Sequence, residues 1–172
     1  MPGVPARCGT SRRTIGMRGR FALILMPVVL AALLAATRSV PAADIIGKWE
    51  IVEAVPAPWT APADATRLQA EGNRLLKTEV AFAKGKVSSK FKAFDCKSRV
   101  IYTANSIEVD ALFQGNLPEP NPAAAAARLG FPKGDIPSVD VRCLKAFYTF
   151  HFRDADTALI NFDRVIYTLK RR

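Results

Sequence analysis

Apolar and polar side chains alternate in runs of about five to eight residues, each bounded by turn chemistry, along most of the chain beyond residue 44. This constrains the fold more than any other feature. A period of two puts successive side chains on opposite faces of an extended strand, so one face is buried while the other meets water. In residues 45–53, Gly47, Trp49 and Ile51 share one face and Lys48 and Glu50 the other, which places Trp49 inside. Residues 77–94 read as a hairpin: Val80 and Phe82 on one strand, Lys84-Gly85 at the turn, and Val87, Ser89 and Phe91 on the return. A second hairpin, 99–103 with 106–109, is expected to turn at Ala104-Asn105, because Asn tolerates the left-handed conformation. Strands follow at 139–143 and 147–152, and then a last hairpin, 157–161 with 165–169, turning at Phe162-Asp163-Arg164. With about nine strands and no βαβ unit, the class is all-β: an antiparallel meander closing into a small barrel of about 8–9 strands, with short helices in the long loops. Closure removes exposed sheet edges.

Two segments interrupt the alternation. Pro56, Pro58 and Pro62 break any ladder, after which Asp64 is expected to cap a short helix reaching Gln69 or Ala70, with Gly72 as its stop. Residues 113–137 interleave Pro118, Pro120, Pro122, Pro132 and Pro137 with Gly115, Gly130 and Gly134 around an Ala-rich helix over 123–129. There Pro122 suits the first helical position and Gly130 the residue after the end. A connection this long in a small domain is often functional. Trp59, Phe113 and Phe131, large aromatics on these loops, are therefore the candidate ligand- or partner-binding residues; a satellite core plugging one end of the barrel is the alternative.

The N-terminus reads as an export signal. Arg7, Arg12, Arg13, Arg18 and Arg20 precede an apolar run over 21–36, followed by a polar stretch in which Val40 and Ala42 occupy the −3 and −1 positions. The expected division is a signal peptide over 1–42, cleaved after Ala42 or Ala43, and one barrel domain over 43–172. Ser11-Arg12-Arg13-Thr14-Ile15 also has the outline of a twin-arginine signal, and translation from Met17 would leave Arg18 and Arg20 as a compact basic region. The apolar run is short for a membrane span, so no stable anchor is expected after cleavage. Residues 1–42 hold six of the 25 basic residues and none of the 15 acidic ones, so the net charge of +10 falls to about +4 without them. That balance gives no ground for nucleic-acid binding. Cys8 leaves with the leader, and Cys96 and Cys143 are expected to form a disulfide in an oxidising, periplasmic or extracellular space.

Few residues are equipped for catalysis. His151 is the single histidine and lies mid-strand between phenylalanines, where it is expected to face solvent. Asp154 and Asp156 lack the glycine and distal glutamate of a calcium loop and read as turn residues. Glu50 and Glu53 fall on opposite strand faces and cannot act as a carboxylate pair. With no hydrolase, zinc or phosphate-loop motif, the expectation is a non-enzyme without metal or cofactor. Lys84, Lys86, Lys90 and Lys92 share one parity, with Lys97 and Arg99 following. They read as a solvated, edge-protecting stripe, or as a surface for an anionic partner such as lipopolysaccharide phosphates.

Gly47-Lys48-Trp49 at the start of the first strand resembles the Gly-X-Trp signature of lipocalin-like (calycin-type) proteins. Lys170 or Arg171 matches the basic residue that packs over this Trp after the family's last strand; the family's intermediate loop motif and its helix before the last strand have no counterpart. The resemblance implies a barrel able to enclose an apolar cavity, with Gly47, Trp49, Lys170 and Arg171 structural. The expected function is an exported binding module for a small apolar ligand or an envelope protein. The alternative is an envelope stress or inhibitor protein, like the small exported barrels that inhibit lysozymes, although a positive domain would be steered away from such basic enzymes.

Overall fold

The computed structural model describes residues 44–172 except Ser98, Glu119 and Lys145; the leader, its cleavage point and the Met17 start lie outside these residues. The strands are β1 (Gly47–Pro56), β2 (Glu79–Ala83), β3 (Lys86–Ser89), β4 (Val100–Ile107), β5 (Ile136–Cys143), β6 (Ala146–Asp154), β7 (Thr157–Phe162) and β8 (Val165–Arg171). Helix α1 (Pro62–Asn73) joins β1 to β2, and a distorted 3-10 segment (Val109–Gly115) and helix α2 (Pro122–Arg128) join β4 to β5. No described helix is long and apolar enough to cross a membrane. In the sheet order β3-β2-β1-β8-β7-β6-β5-β4, each paired neighbour is also a sequence neighbour except that β1 pairs with β8. The first strand thus closes on the last, giving an up-and-down antiparallel barrel of eight strands.

The one seam lies between β3 and β4. It is spanned by a reciprocal bridge, Val87 N–H to the Cys96 carbonyl at 2.8 Å and Cys96 N–H to the Val87 carbonyl at 2.9 Å. Val100 N–H also donates to the Gly85 carbonyl at 3.2 Å. The Tyr102 hydroxyl lies 3.0 Å from the Ala83 carbonyl and 2.8 Å from that of Lys86. Cys96 and Cys143 are disulfide-linked, with Cα atoms 6.1 Å apart. Cys96 is therefore held to β3 by hydrogen bonds and to the end of β5 by a covalent bond, which ties the two sides of the seam together.

The barrel interior is a continuous core in which Trp49, Ile51, Phe82, Phe94, Phe150 and Phe152 are buried. Its aromatics meet edge to face: Phe82 on Phe150 at 5.2 Å and Trp49 on Phe152 at 5.9 Å between centroids. The void among Phe82, Val87, Phe94, Val141, Tyr148 and Phe150 is about 10 Å³, room for no more than a single water. A second cluster lies outside the barrel wall, where Leu112, Phe113, Leu117, Ala125, Ala126 and Phe131 of the β4–β5 connection cover Ile136, Leu159 and Ile166. This covering explains why Val165 to Leu169 of β8 are all buried. Val165, Tyr167 and Leu169 face the interior, Ile166 faces the connection, and Thr168 donates to Glu53 of β1.

Three expectations are corrected. No turn occurs at Ala104-Asn105; β4 runs straight through, with Ala104 opposite Val139 and Asn105 opposite Ser138. An eight-residue partner strand overrides the local turn signal, and Asn105 spends its amide on Asp140 at 2.9 Å. Gly72 does not stop α1 but is buried within it, where a Cβ would come within 3.0 Å of both Ala54 and Val165; the glycine lets the helix lie against β1 and β8. The lysine stripe is divided, because β3 ends at Ser89, leaving Lys84 and Lys86 at one end of the hairpin and Lys90 and Lys92 beyond the other. Helix α2 follows expectation: Pro122 opens it, Asn121 Oδ1 accepts from Ala124 N–H at 2.8 Å, and Gly130 follows with φ +82°.

Removing the cross-link should loosen the seam. With the half-cystines 47 positions apart, chain-entropy reasoning puts the loss for Cys143→Ala at up to roughly 4 kcal/mol. Denaturant titration is expected to show that loss under oxidising conditions, and reduced wild type should fall to the variant's level.

Candidate functional site

At one end of the barrel Trp49 is fully buried, and its indole N–H donates to the Ile45 carbonyl at 2.8 Å. The Arg171 guanidinium lies 4.5 Å from the centre of its ring. Arg171 also donates to the carbonyls of Ile46, at 2.8 Å, and Asp44, and pairs with Asp156 at 3.2 Å. Gly47 lies under this clamp; its φ is +136° and a Cβ would meet the guanidinium at 2.9 Å. Lys170 is exposed on the other side of the strand, so Arg171 alone covers the ring. These residues close the barrel end and present nothing to a ligand.

Trp59, Phe113 and Phe131 are brought together on the outer wall. Phe113 stands 5.8 Å from Trp59 and 6.0 Å from Phe131 between centroids. Phe113 and Phe131 are buried, and Trp59 is half-buried. The group is a packed outer layer, and only Trp59 offers much surface.

Under this layer lies His151, only 3 % exposed, which corrects the expectation of a solvent-facing side chain. Strand parity does turn it away from the barrel interior, but the β4–β5 connection covers that face, with the Phe113 ring 4.9 Å from the imidazole. Ser138, opposite His151 in the β5–β6 register, places its Oγ 2.9 Å from Nδ1, while the Phe113 backbone N–H approaches Nε2 at 3.4 Å. The amide can only donate, so Nε2 accepts and the ring proton is on Nδ1. Nδ1–H then donates to Ser138 Oγ, whose own proton goes to the Ile136 carbonyl at 3.2 Å. A serine nucleophile needs the reverse, a hydroxyl donating to the imidazole. Burial pushes the His151 pKa down to about 4, which keeps the ring neutral and the three-bond chain intact. Sequence reasoning missed Ser138; its signal was the apolar content of residues 112–131, which demands a sheet face to cover.

Two surface features border the barrel openings. Beside α1, a cleft of about 230 Å³ is lined by Arg74, Leu75, Phe91, Phe162, Asp163 and Tyr167. On the outside of β2 and β3, a groove of about 360 Å³ runs between Lys77 and Lys90 past Glu79, Ala81 and Ser88. Lys84, Lys86, Lys90, Lys92, Lys97 and Arg99 are exposed and take no part in ion pairs among the described residues. Residues 77–99 carry seven basic and two acidic side chains, so this sector holds more than the whole surplus positive charge of residues 43–172. Asp154 and Asp156 shape the β6–β7 turn, Asp156 N–H donating to Asp154 Oδ1 at 2.9 Å.

No family model, curated protein or solved structure matches this chain. Its chemistry therefore has to be read from its own residues.

The tryptophans should separate cleanly. Trp49→Ala empties a sealed interior site and is expected to cost roughly 3–5 kcal/mol, whereas Trp59→Ala, at a half-buried loop position, should cost well under half of that; chemical denaturation of both variants checks the assignment. His151 gives a pH signature. Because its folded pKa lies below the unfolded value near 6.5, the unfolded chain binds the proton first, and stability falls as pH drops from about 6.5 to about 4. The loss is roughly 3 kcal/mol at 1.36 kcal/mol per unit. His151→Gln should flatten that part of a pH series of denaturation midpoints.

Proposed function

We propose that this protein is an exported, non-catalytic binding module whose ligand or partner meets the outer surface and rim of the barrel. The observation that carries the reading is the packed interior: among the described residues, the void between Phe82, Val87, Phe94, Val141, Tyr148 and Phe150 is only about 10 Å³, against the hundreds of cubic ångströms of a ligand pocket. Export is supported by the leader pattern of residues 1–42 and by a cysteine pair placed to cross-link. A non-catalytic role is supported by His151, whose two nitrogens are engaged in a direction that leaves Ser138 unactivated. The surface offers binding chemistry instead, in Trp59, the aromatic cleft beside α1 and the cationic sector around β3.

Native mass spectrometry of the protein purified from its own envelope fraction tests this directly. The expected species is the processed, oxidised chain, bare or with a macromolecular partner. A stoichiometric small apolar molecule retained inside the folded barrel would overturn the reading.

A further inference from the structure

Three of the most exposed large apolar side chains of the described residues stand in one place. Leu144 is 69 %, Ile101 58 % and Phe147 50 % exposed. Register explains the clustering. Ile101 of β4 is opposite Arg142 of β5, and Arg142 is opposite Phe147 of β6, so the three form a row across the outer face, with Leu144 at the β5–β6 turn beside it. This is the part of the wall that the β4–β5 connection leaves bare.

Cations surround the row. The Arg142 guanidinium lies 6.0 Å from the Phe147 ring centre. Arg99 and Lys97, both exposed, are brought alongside by the Val100–Cys143 pairing and by the Cys96–Cys143 disulfide. The acid on the same face, Asp140, is already engaged by Asn105 Nδ2 at 2.9 Å and Thr149 Oγ1 at 2.7 Å. Leu144 also has φ +40°, a conformation that glycine or asparagine adopts at less cost. A bulky apolar residue there carries backbone strain, and at 69 % exposure it has little packing inside the protein to offset it.

The geometry points to a peripheral docking surface for an anionic phospholipid bilayer: Leu144, Phe147 and Ile101 enter the headgroup layer, and Arg142, Arg99 and Lys97 meet lipid phosphates. The chemistry matches what interfacial binding requires, an apolar element at the depth of the acyl boundary ringed by cations. Shape separates this occupant from others. The apolar row lies on the exposed outer face with Leu144 at its end, so its side chains can enter lipid directly, whereas an acidic protein would have to supply a matching apolar pocket. A second copy in two-fold contact would set Arg99, Arg142 and Lys97 against themselves.

The inference rests on the reading that the barrel works through its outer surface, and it is tested on the full, oxidised, processed protein by co-sedimentation with vesicles. Wild type should sediment with phosphatidylglycerol–phosphatidylcholine vesicles at least tenfold more strongly than with phosphatidylcholine alone, and less so at high salt. The double variant Leu144→Ser/Phe147→Ser should lose at least tenfold in vesicle binding with an unchanged denaturation midpoint, since both side chains are exposed. Arg99→Gln/Arg142→Gln, independently, should abolish the preference for anionic lipid. Undiminished binding by either variant, equal binding to both vesicle types, or binding to soluble polyglutamate in place of vesicles would overturn the proposal. Those failures leave the surface reading standing with a protein partner, while an apolar molecule found inside the barrel by native mass spectrometry defeats the surface reading whatever the vesicles show.

Discussion

Pairing of the first strand with the last is the constraint on which the rest of this structure depends. The β1–β8 ladder, running from Trp49 opposite Arg171 to Pro56 opposite Val165, joins β1–β3 to β4–β8 in one eight-stranded sheet, which curls into a nearly closed barrel whose remaining edges, β3 and β4, are spanned by the Val87–Cys96 bridge. Arg171 lies at the end of that ladder and bonds the carbonyls of Asp44 and Ile46, so the start and end of the barrel are held by one side chain. Closure also fixes the interior volume. Once Trp49, Phe82, Phe94, Phe150 and Phe152 are turned into a ring of this size they fill it, and the space a carrier barrel would keep for cargo is taken by its own aromatics.

A filled barrel moves the interesting chemistry outward, where the wall is covered unevenly. The β4–β5 connection buries the outer faces of β5 to β8 beneath Phe113, Phe131 and their neighbours, while α1 packs on the interior residues Ala54 and Val165 of β1 and β8 through the bare backbone of Gly72. The covered sector is dry enough to hold His151 neutral. The uncovered sectors are β2–β3, whose lysines form no ion pair among the described residues, and the far ends of β4 to β6, with Ile101, Phe147 and Leu144 exposed. Loops thus act here as cladding, and what they leave bare is where a partner can reach.

How much of this was legible depends on the range of the interactions concerned. The burial of Trp49, the turn at Lys84-Gly85, the ends of α2 and the Cys96–Cys143 pair follow from alternation, from proline and asparagine chemistry and from cysteine count, all of which act over a few residues or on composition. Ala104-Asn105 misled because a turn signal competes only weakly with the backbone hydrogen bonds a neighbouring strand supplies. Gly72 misled because the same residue that ends helices also admits close packing, and only the neighbours Ala54 and Val165 distinguish the two. His151 was placed on the right face of its strand. Whether that face is wet depends on a segment that begins some forty residues earlier.

What the sequence by itself determined is most of the strand pattern, the interior-facing set headed by Trp49 and Ile51, and the separation of a basic, apolar N-terminal segment from a nearly charge-balanced remainder. Those properties are local, because side-chain parity and turn preference are set by the covalent chain. Only the tertiary structure decided that the interior would be full, that Ser138 and His151 would meet under Phe113, and that Ile101, Arg142, Phe147 and Leu144 would form one exposed patch. Each of those depends on register between strands, and register is settled by the closing of the whole ring, where shifting a strand by one residue would exchange its inner and outer faces.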